Sequence, residues 1–461
     1  MNLAQDVLPS DFLDHLRETF AGLESLPFKH QFEIGKMIWG TATQGRSHKH
    51  FEDALSFHYA DLDAAFGRGG FSRINDRFQL FDVSKNWSAQ DRWTRGYRFT
   101  PKLEESFDCY RRRQWPAATS LLRLDGKSRQ TTPKKAIAPK DLRGSNATRW
   151  PFCANLNHVP VCIDALEVLR SELATLFDRS SERHEDAYKS TLSRWLSATA
   201  CVIRLSITEP AGHGVMAHRY VEAESGRLYA QGLSLQNAPR LVKSAALTGL
   251  WEYDFSNCHY TIFEQMCRRE GFICGAIPEY LSAKSAVRQE IAAKAGISIA
   301  QAKECLIAII YGASTSLWHK NAIPKAIGED ATKRLASVPI FMELRQEIKG
   351  GTKQILSRWP RLQNGRLKNE VGKAIVSSAR PMQLMAHLIQ GVEARSLKCA
   401  LELFPDDIVL LQHDGFASRS RLDMQKIVSR ANHVTGYQLF LEEEQLQFSP
   451  IDVASKAGEE G

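Results

Sequence analysis

The chain has 461 residues, more than one simple core accommodates, and its 43% hydrophobic and 24% charged composition, with mean hydropathy −0.32, excludes a fibrous or disordered protein. A net charge of +8 and a pI near 8.9 favour a polyanionic partner without establishing one. The nine cysteines are an odd number with no C-x-x-C pair, which argues against a zinc site or disulfide framework and for a reducing compartment.

The segment Met1–Phe20 carries acidic residues and no apolar stretch of the signal-peptide kind, and no run reaches the length of a membrane span. The expectation is a cytoplasmic chain with no membrane partner. Residues 1–110 mix helical patterns, around Phe12–Leu23 and Phe51–Ala65, with a strand-like piece at Arg95–Thr100. Residues 111–150 hold eleven Lys or Arg against Asp125 and Asp141 alone, which reads as a basic linker or arm. Ile163–Phe177 and Tyr188–Val202 each carry an apolar stripe at i, i+3, i+4 spacing and are expected helices. From Gly226 to about Phe448 the pattern is mixed α/β, and the last dozen residues read as a frayed tail.

Two carboxylates stand out. Gly249–Asp254 is an apolar strand ending in Asp254, followed by a helix for which Ser256 or Asn257 makes a reasonable N-cap. Asp254 could itself serve only as a cap. Asp407–Ser418 is a β-branched and leucine run, a His413-Asp414-Gly415 turn and a short apolar run, hence a hairpin with Asp414 at its tip. Asp-Gly is also a common turn dipeptide. Two acids on adjacent strands repel unless cations lie between them, the arrangement of two-metal phosphoryl chemistry, and magnesium suits carboxylates working with substrate phosphates.

Between them, Ser298–Gly312 reads as one helix with Gly312 near its end, and Lys303, Ile307 and Tyr311, four apart, share a face. A lysine, an apolar residue and an aromatic on one face can serve a nucleotide; a buried helix whose lysine reaches out to solvent is the plainer alternative. Upstream, the segment Gly226–Pro239 carries Arg227, Gln236 and Asn237, side chains that hydrogen-bond groove edges and sugars when they do not simply form a polar loop.

Together, in this order, the segments resemble the family A DNA polymerases and the related phage-type single-subunit RNA polymerases. Asp254-Phe-Ser-Asn looks like the family's metal-binding Asp-Tyr-Ser-Gln. Lys303 through Tyr311-Gly312 matches its Lys-x7-Tyr-Gly helix with the same spacing, and His413-Asp414-Gly415 is similar to its second metal motif with Gly in third place. The upstream loop looks like the family's Gly-Arg-Leu…Leu-Gln-Asn-x-Pro duplex contact, and Gln390-Gly391 is similar to the Gln-Gly that begins a helix there.

The resemblance covers roughly Gly226–Phe448 and implies an α+β right-hand polymerase, with palm and fingers over 226–461 (fingers about 265–375) and a thumb-like helical segment at 151–225; the basic linker at 111–150 lies outside it. It does not cover the N-terminal part; residues 1–110 are expected to be a mostly helical accessory domain, read here as DNA-binding and without proofreading acids. It further implies two Mg²⁺, replaceable by Mn²⁺, held by Asp254, Asp414 and the carbonyl of Phe255. Lys303 would bind the triphosphate, Tyr311, His259 and Ile307 would border the nucleotide, and Arg227, Gln236, Asn237, Gln390 and His413 would meet primer or template. The implied partners are a DNA template, a primer or nascent strand and nucleoside triphosphates, for a monomer encoded by a bacterial host, phage or plasmid.

The chain departs from the pattern at three places. Ile299 stands where the family has a triphosphate-binding Arg, with Lys294, Arg288 and Lys284 as substitutes; His259 stands where the family has a sugar-selecting Glu or Gly; and Ile307 replaces an aromatic or Met. DNA synthesis in replication of a mobile element is the expected activity. An RNA polymerase or primase of the same superfamily, a two-metal nuclease, and a non-catalytic initiator with a palm-like scaffold are the rivals.

Overall fold

The computed structural model describes residues 7–43, 55–84, 95–114, 121–123, 134–137, 156, 158–179, 186–208, 212–218, 220–230, 234–318, 321–451 and 453. Helices and antiparallel sheets are mixed throughout. At the centre is a four-stranded sheet in the order Ile408–Leu411, Gly415–Ser418, Trp251–Phe255, Leu441–Gln445. Strand Trp251–Phe255 is antiparallel to both neighbours, so that Asp254 lies opposite Gly415 on one side and Glu442 on the other.

The sheet separates two cores, because alternate residues of a strand face opposite ways. Tyr253, Phe255 and Phe416 enter a core built with the helices of residues 258–435, and the Tyr253 and Phe416 rings stack with centroids 5.0 Å apart. Val409, Leu410, Ala417 and Leu446 enter a second core, shared with the helices Ser10–Thr19, Ile163–Arg179 and Asp186–Leu205. Residues of 12–110 and of 159–247 therefore pack into one core rather than two. Burying each large apolar side chain contributes about 1.5–3 kcal/mol, so both halves of the chain clamp the sheet from opposite faces.

Two helices position the site. Ile299–Ile310 begins at a capping box, in which the Ser298 hydroxyl accepts from the Gln301 N–H and the Gln301 side chain accepts from the Ser298 N–H. It ends at Tyr311, with Gly312 at φ 81°, a left-handed conformation that glycine adopts without strain. The long helix Pro381–Leu403 starts with proline in its first turn, where no amide donor is needed, and with Gln383 accepting from the Arg380 N–H.

Several expectations are corrected. Gln390 and Gly391 do not begin a helix: Pro381 starts it, and they lie in its middle, where the missing side chain of Gly391 leaves room for Asn369. The Phe51–Ala65 pattern contains a strand, Leu55–Phe57, before the helix Tyr59–Phe66, whose N-cap is His58. The N-terminal part is less purely helical than its sequence implies, with three-stranded sheets joining Val7–Pro9 to Leu121–Arg123 and Lys134–Ile137, and Leu55–Phe57 to Arg95–Phe99 and Phe81–Val83. The remainder of the basic stretch, residues 115–120, 124–133 and 138–150, and the C-terminal tail after 453 lie outside the described residues. No described helix is long and apolar enough to cross a membrane.

Candidate active site

The hairpin brings the two predicted carboxylates together. Asp414 is the last turn residue before strand Gly415–Ser418, and its carbonyl accepts from the Phe255 N–H at 2.8 Å, which locks the tip against the end of the Asp254 strand. Gly415 is required by this approach: a Cβ there would lie 2.2 Å from the Tyr253 carbonyl oxygen. The glycine that departs from the family pattern is thus the residue that lets the two strands close.

The electrostatics of the pair are uncompensated. Asp254 is reached by solvent yet crowded by protein; partial desolvation first, then the charges of Asp414, Glu252 and Glu442, push its carboxyl up to about 8, against the pull of Lys303. The two flanking acids are already satisfied. Lys243 ion-pairs Glu252 at 2.6 Å and, with Gln412, outweighs the burial penalty and holds Glu252 below the usual range. Glu442 accepts from Lys284 at 2.7 Å and from Ser256 at 2.6 Å, and is held low by both. Among the described residues no group of three His, Cys, Asp or Glu is arranged to hold a metal ion. The donors on offer are Asp254, Asp414 and backbone carbonyls, an all-oxygen set of the kind hard divalent cations take.

Lys303, Ile307 and Tyr311 form the expected stripe. Lys303 and Ile307 are exposed and Tyr311 is half-buried, so the stripe opens to solvent instead of into the core. Among the described residues Lys303 has neither ion pair nor hydrogen bond, and its charge acts on the Asp254 carboxyl. Ile299 is 50% exposed at the start of the same helix. Of the cations considered in its place, Lys294 pairs with Glu290 one turn away on its own helix, whereas Lys284 and Arg288 reach the Asp254 strand end. Arg288 donates to the Asn257 Oδ1 and the Tyr280 hydroxyl. This corrects the capping expectation: Asn257 occupies the N-cap position at φ 46°, but its side chain goes to Arg288 and caps nothing.

Behind the stripe is a buried polar network that the sequence does not announce. Arg227, 6% exposed, ion-pairs with Glu393, which is fully buried in the middle of the helix Pro381–Leu403. His259 Nε2 lies 3.0 Å from the same Glu393 oxygen, 2.8 Å from Arg227 Nη2 and 3.0 Å from the Tyr311 hydroxyl, to which the Gln390 side chain also hydrogen-bonds. Burial opposes both charges of the pair, but each partner offsets it: Glu393 is held low and Arg227 fully charged. Burial raises the Tyr311 phenol.

The remaining predicted contacts divide by direction. Arg227 is turned inward. Gln236 spends its amide on the Leu228 and Leu411 carbonyls, each at 3.0 Å, and on the Ala230 N–H, tying its loop to the hairpin. Asn237 is exposed, with its Oδ1 accepting from Ser234. His413 is exposed, its ring 5.1 Å from that of Tyr229. Sequence reasoning missed Glu393, Glu252, Lys243 and Glu442. The available signal for Glu393 was a lone acid among Leu388, Ile389, Val392 and Ala394 on a helix.

No family model matches the chain, and no curated protein matches it. A solved structure similar to it is the POL domain of Pol1 from M. smegmatis in complex with DNA primer-template and dNTP, at 12% identity, covering 89% of this chain and 81% of that one with a TM-score of 0.41. A score of that size carries no inference about fold or function.

Proposed function

We propose that the chain is a template-directed nucleic-acid polymerase of the right-hand type, adding nucleotides to a 3′-hydroxyl, with DNA-templated DNA synthesis in replication of a mobile element as its role. The observation that supports this most is the open Asp254–Asp414 pair together with Lys303, unpaired among the described residues and acting on Asp254 from a solvent-open stripe with Ile307 and Tyr311. In this reading the palm and fingers are residues 226–461, the thumb-like segment is 151–225, and the N-terminal part is an accessory domain.

Asp254 and Asp414, with the Phe255 carbonyl, would hold two divalent cations, magnesium by the hardness of the donors. Such ions supply activation of the attacking hydroxyl and neutralisation of the leaving pyrophosphate. The chain's own work is positioning and charge. Lys303 binds the triphosphate and gives a proton to the departing pyrophosphate as the 3′-oxygen, its own proton passing to solvent, bonds to the α-phosphorus and the α–β phosphoanhydride bond breaks. Lys284 and Arg288, at the end of the Asp254 strand, take the part of the absent arginine at Ile299. Tyr311 and Ile307 offer a surface to base and sugar. His259 and Tyr311 border the sugar, braced by Glu393 and Arg227, while Gln236 and Gln390 hold the wall from behind. Asn237 and His413, open to solvent, face the primer–template.

The test is extension of primed and unprimed templates with Mg²⁺, comparing dNTPs with NTPs. Incorporation is expected with a primed DNA template and dNTPs. Incorporation of NTPs alone, or without a primer, assigns the chain to RNA synthesis or priming. No incorporation under any combination overturns the reading.

A further inference from the structure

A second feature lies on the far side of the long helix from the carboxylates. Glu393 faces the buried network, and Arg395, two residues on and about 200° further round the helix, lines an open cleft of about 840 Å³. The cleft's other walls are the end of helix Cys258–Arg269 and the segment carrying the hairpin strands Leu367–Lys368 and Ala374–Ile375. Its size is that of a nucleotide-sized ligand site.

Four cations line it, Arg269, Arg361, Lys368 and Arg395, against two carboxylates, Glu270 and Glu370. Arg361, Lys368 and Arg395 have no ion pair among the described residues. Burial pushes the Glu370 carboxyl up, against the pull of Arg269 and Arg395. Arg269 is fixed over the Tyr437 ring, 3.8 Å from its centroid. Trp359 contributes an aromatic plane; its indole N–H donates to the Lys368 carbonyl at 3.1 Å, which sets the ring against the hairpin.

We propose that this cleft is a second nucleotide-binding site, taking phosphate on Arg361, Lys368 and Arg395 and a base on Trp359. Unpaired cations beside an oriented aromatic ring are what a strand's backbone and bases require, and a free nucleotide shares that chemistry. The proposal does not depend on polymerase activity.

The experiment uses the full chain without metal, so that no synthesis intervenes. Anisotropy of a labelled oligothymidylate measures affinity against salt, and photocrosslinking of an iodouracil-substituted oligothymidylate maps contacts. Arg361 and Lys368 are both exposed, so the double variant Arg361→Ala/Lys368→Ala is expected to fold. It should bind about tenfold more weakly, with the slope of log K against log salt reduced by about 1.4, two contacts' worth for a single strand. Arg366→Ala, exposed on the same hairpin but outside the cleft, should bind like the native chain. An adduct on Trp359 is expected. Displacement of the oligonucleotide by dTMP identifies a free nucleotide as occupant, and displacement by strands alone identifies nucleic acid. A double variant with native affinity and slope, an equal loss in Arg366→Ala, or adducts that all avoid Trp359 would overturn the site.

Discussion

At the carboxylate pair the charges are left open, whereas at the Arg227–Glu393 pair, one helix away, they are closed. Burial and the charges of Asp414, Glu252 and Glu442 outweigh the pull of Lys303 on Asp254, and its carboxyl rises to about 8. Glu393 is more deeply buried, yet it is held low because Arg227 and His259 share its oxygen. The contrast separates two uses of a charged side chain. An uncompensated acid at a solvent-open strand end is stabilised by what binds to it. A compensated one in the interior fixes the wall beside that place, here by setting the His259 ring and the Tyr311 hydroxyl.

The sharpest break in this comparison is Glu393→Ala. Removing one partner leaves Arg227 charged and buried, and the chain should lose about 3–5 kcal/mol in denaturant titration. The double variant Glu393→Ala/Arg227→Met should regain most of that loss. Equal loss in both would mean that packing, not charge, is at stake.

At the open pair a smaller effect of opposite character is expected. Asp254 holds its proton in the folded chain from its ordinary value of 3.8 up to about 8, so without metal the folded form binds the extra proton in that window. Stability attached to it is therefore lost as pH rises toward 8. Divalent-cation affinity moves the other way, because binding requires the carboxylate, and should rise by at most about tenfold per pH unit up to about 8 and then level off. Titration calorimetry with Mn²⁺ at several pH values reads this directly; a flat profile would remove the open pair as the metal site. The smallest effect is expected at His259→Gly, which unties one arm of the closed network. The dNTP/NTP ratio should shift by a few-fold, on the order of 1 kcal/mol, and an unchanged ratio would take His259 out of sugar selection.

Much of the open pair is legible in the sequence because its signals are local. Asp254 ends an apolar strand, Asp414 sits in a His-Asp-Gly turn, and the Lys303 helix announces its start with Ser298 and Gln301 and its end with Gly312. The closed network is illegible for the opposite reason. Its ion pair joins residues 166 apart, and a glutamate on a helix reads as a solvent-facing residue until a buried arginine is placed against it. The register that puts Asp254 between Gly415 and Glu442 is likewise a property of strand pairing, as is the two-faced sheet that joins the N-terminal helices to the same core as residues 159–247. The helix start expected at Gln390-Gly391 rests on the resemblance to the family's Gln-Gly, whereas the helix begins at Pro381 and Asn369 fills the space beside Gly391.

The central claim is that Asp254 and Asp414 carry nucleotidyl transfer, and single-nucleotide incorporation by the native chain and Asp414→Ala on one primed template tests it most directly. The account predicts a loss of about 10³-fold, on the order of 4 kcal/mol, with oligonucleotide binding and thermal stability retained. Incorporation that survives Asp414→Ala at the native rate would contradict it.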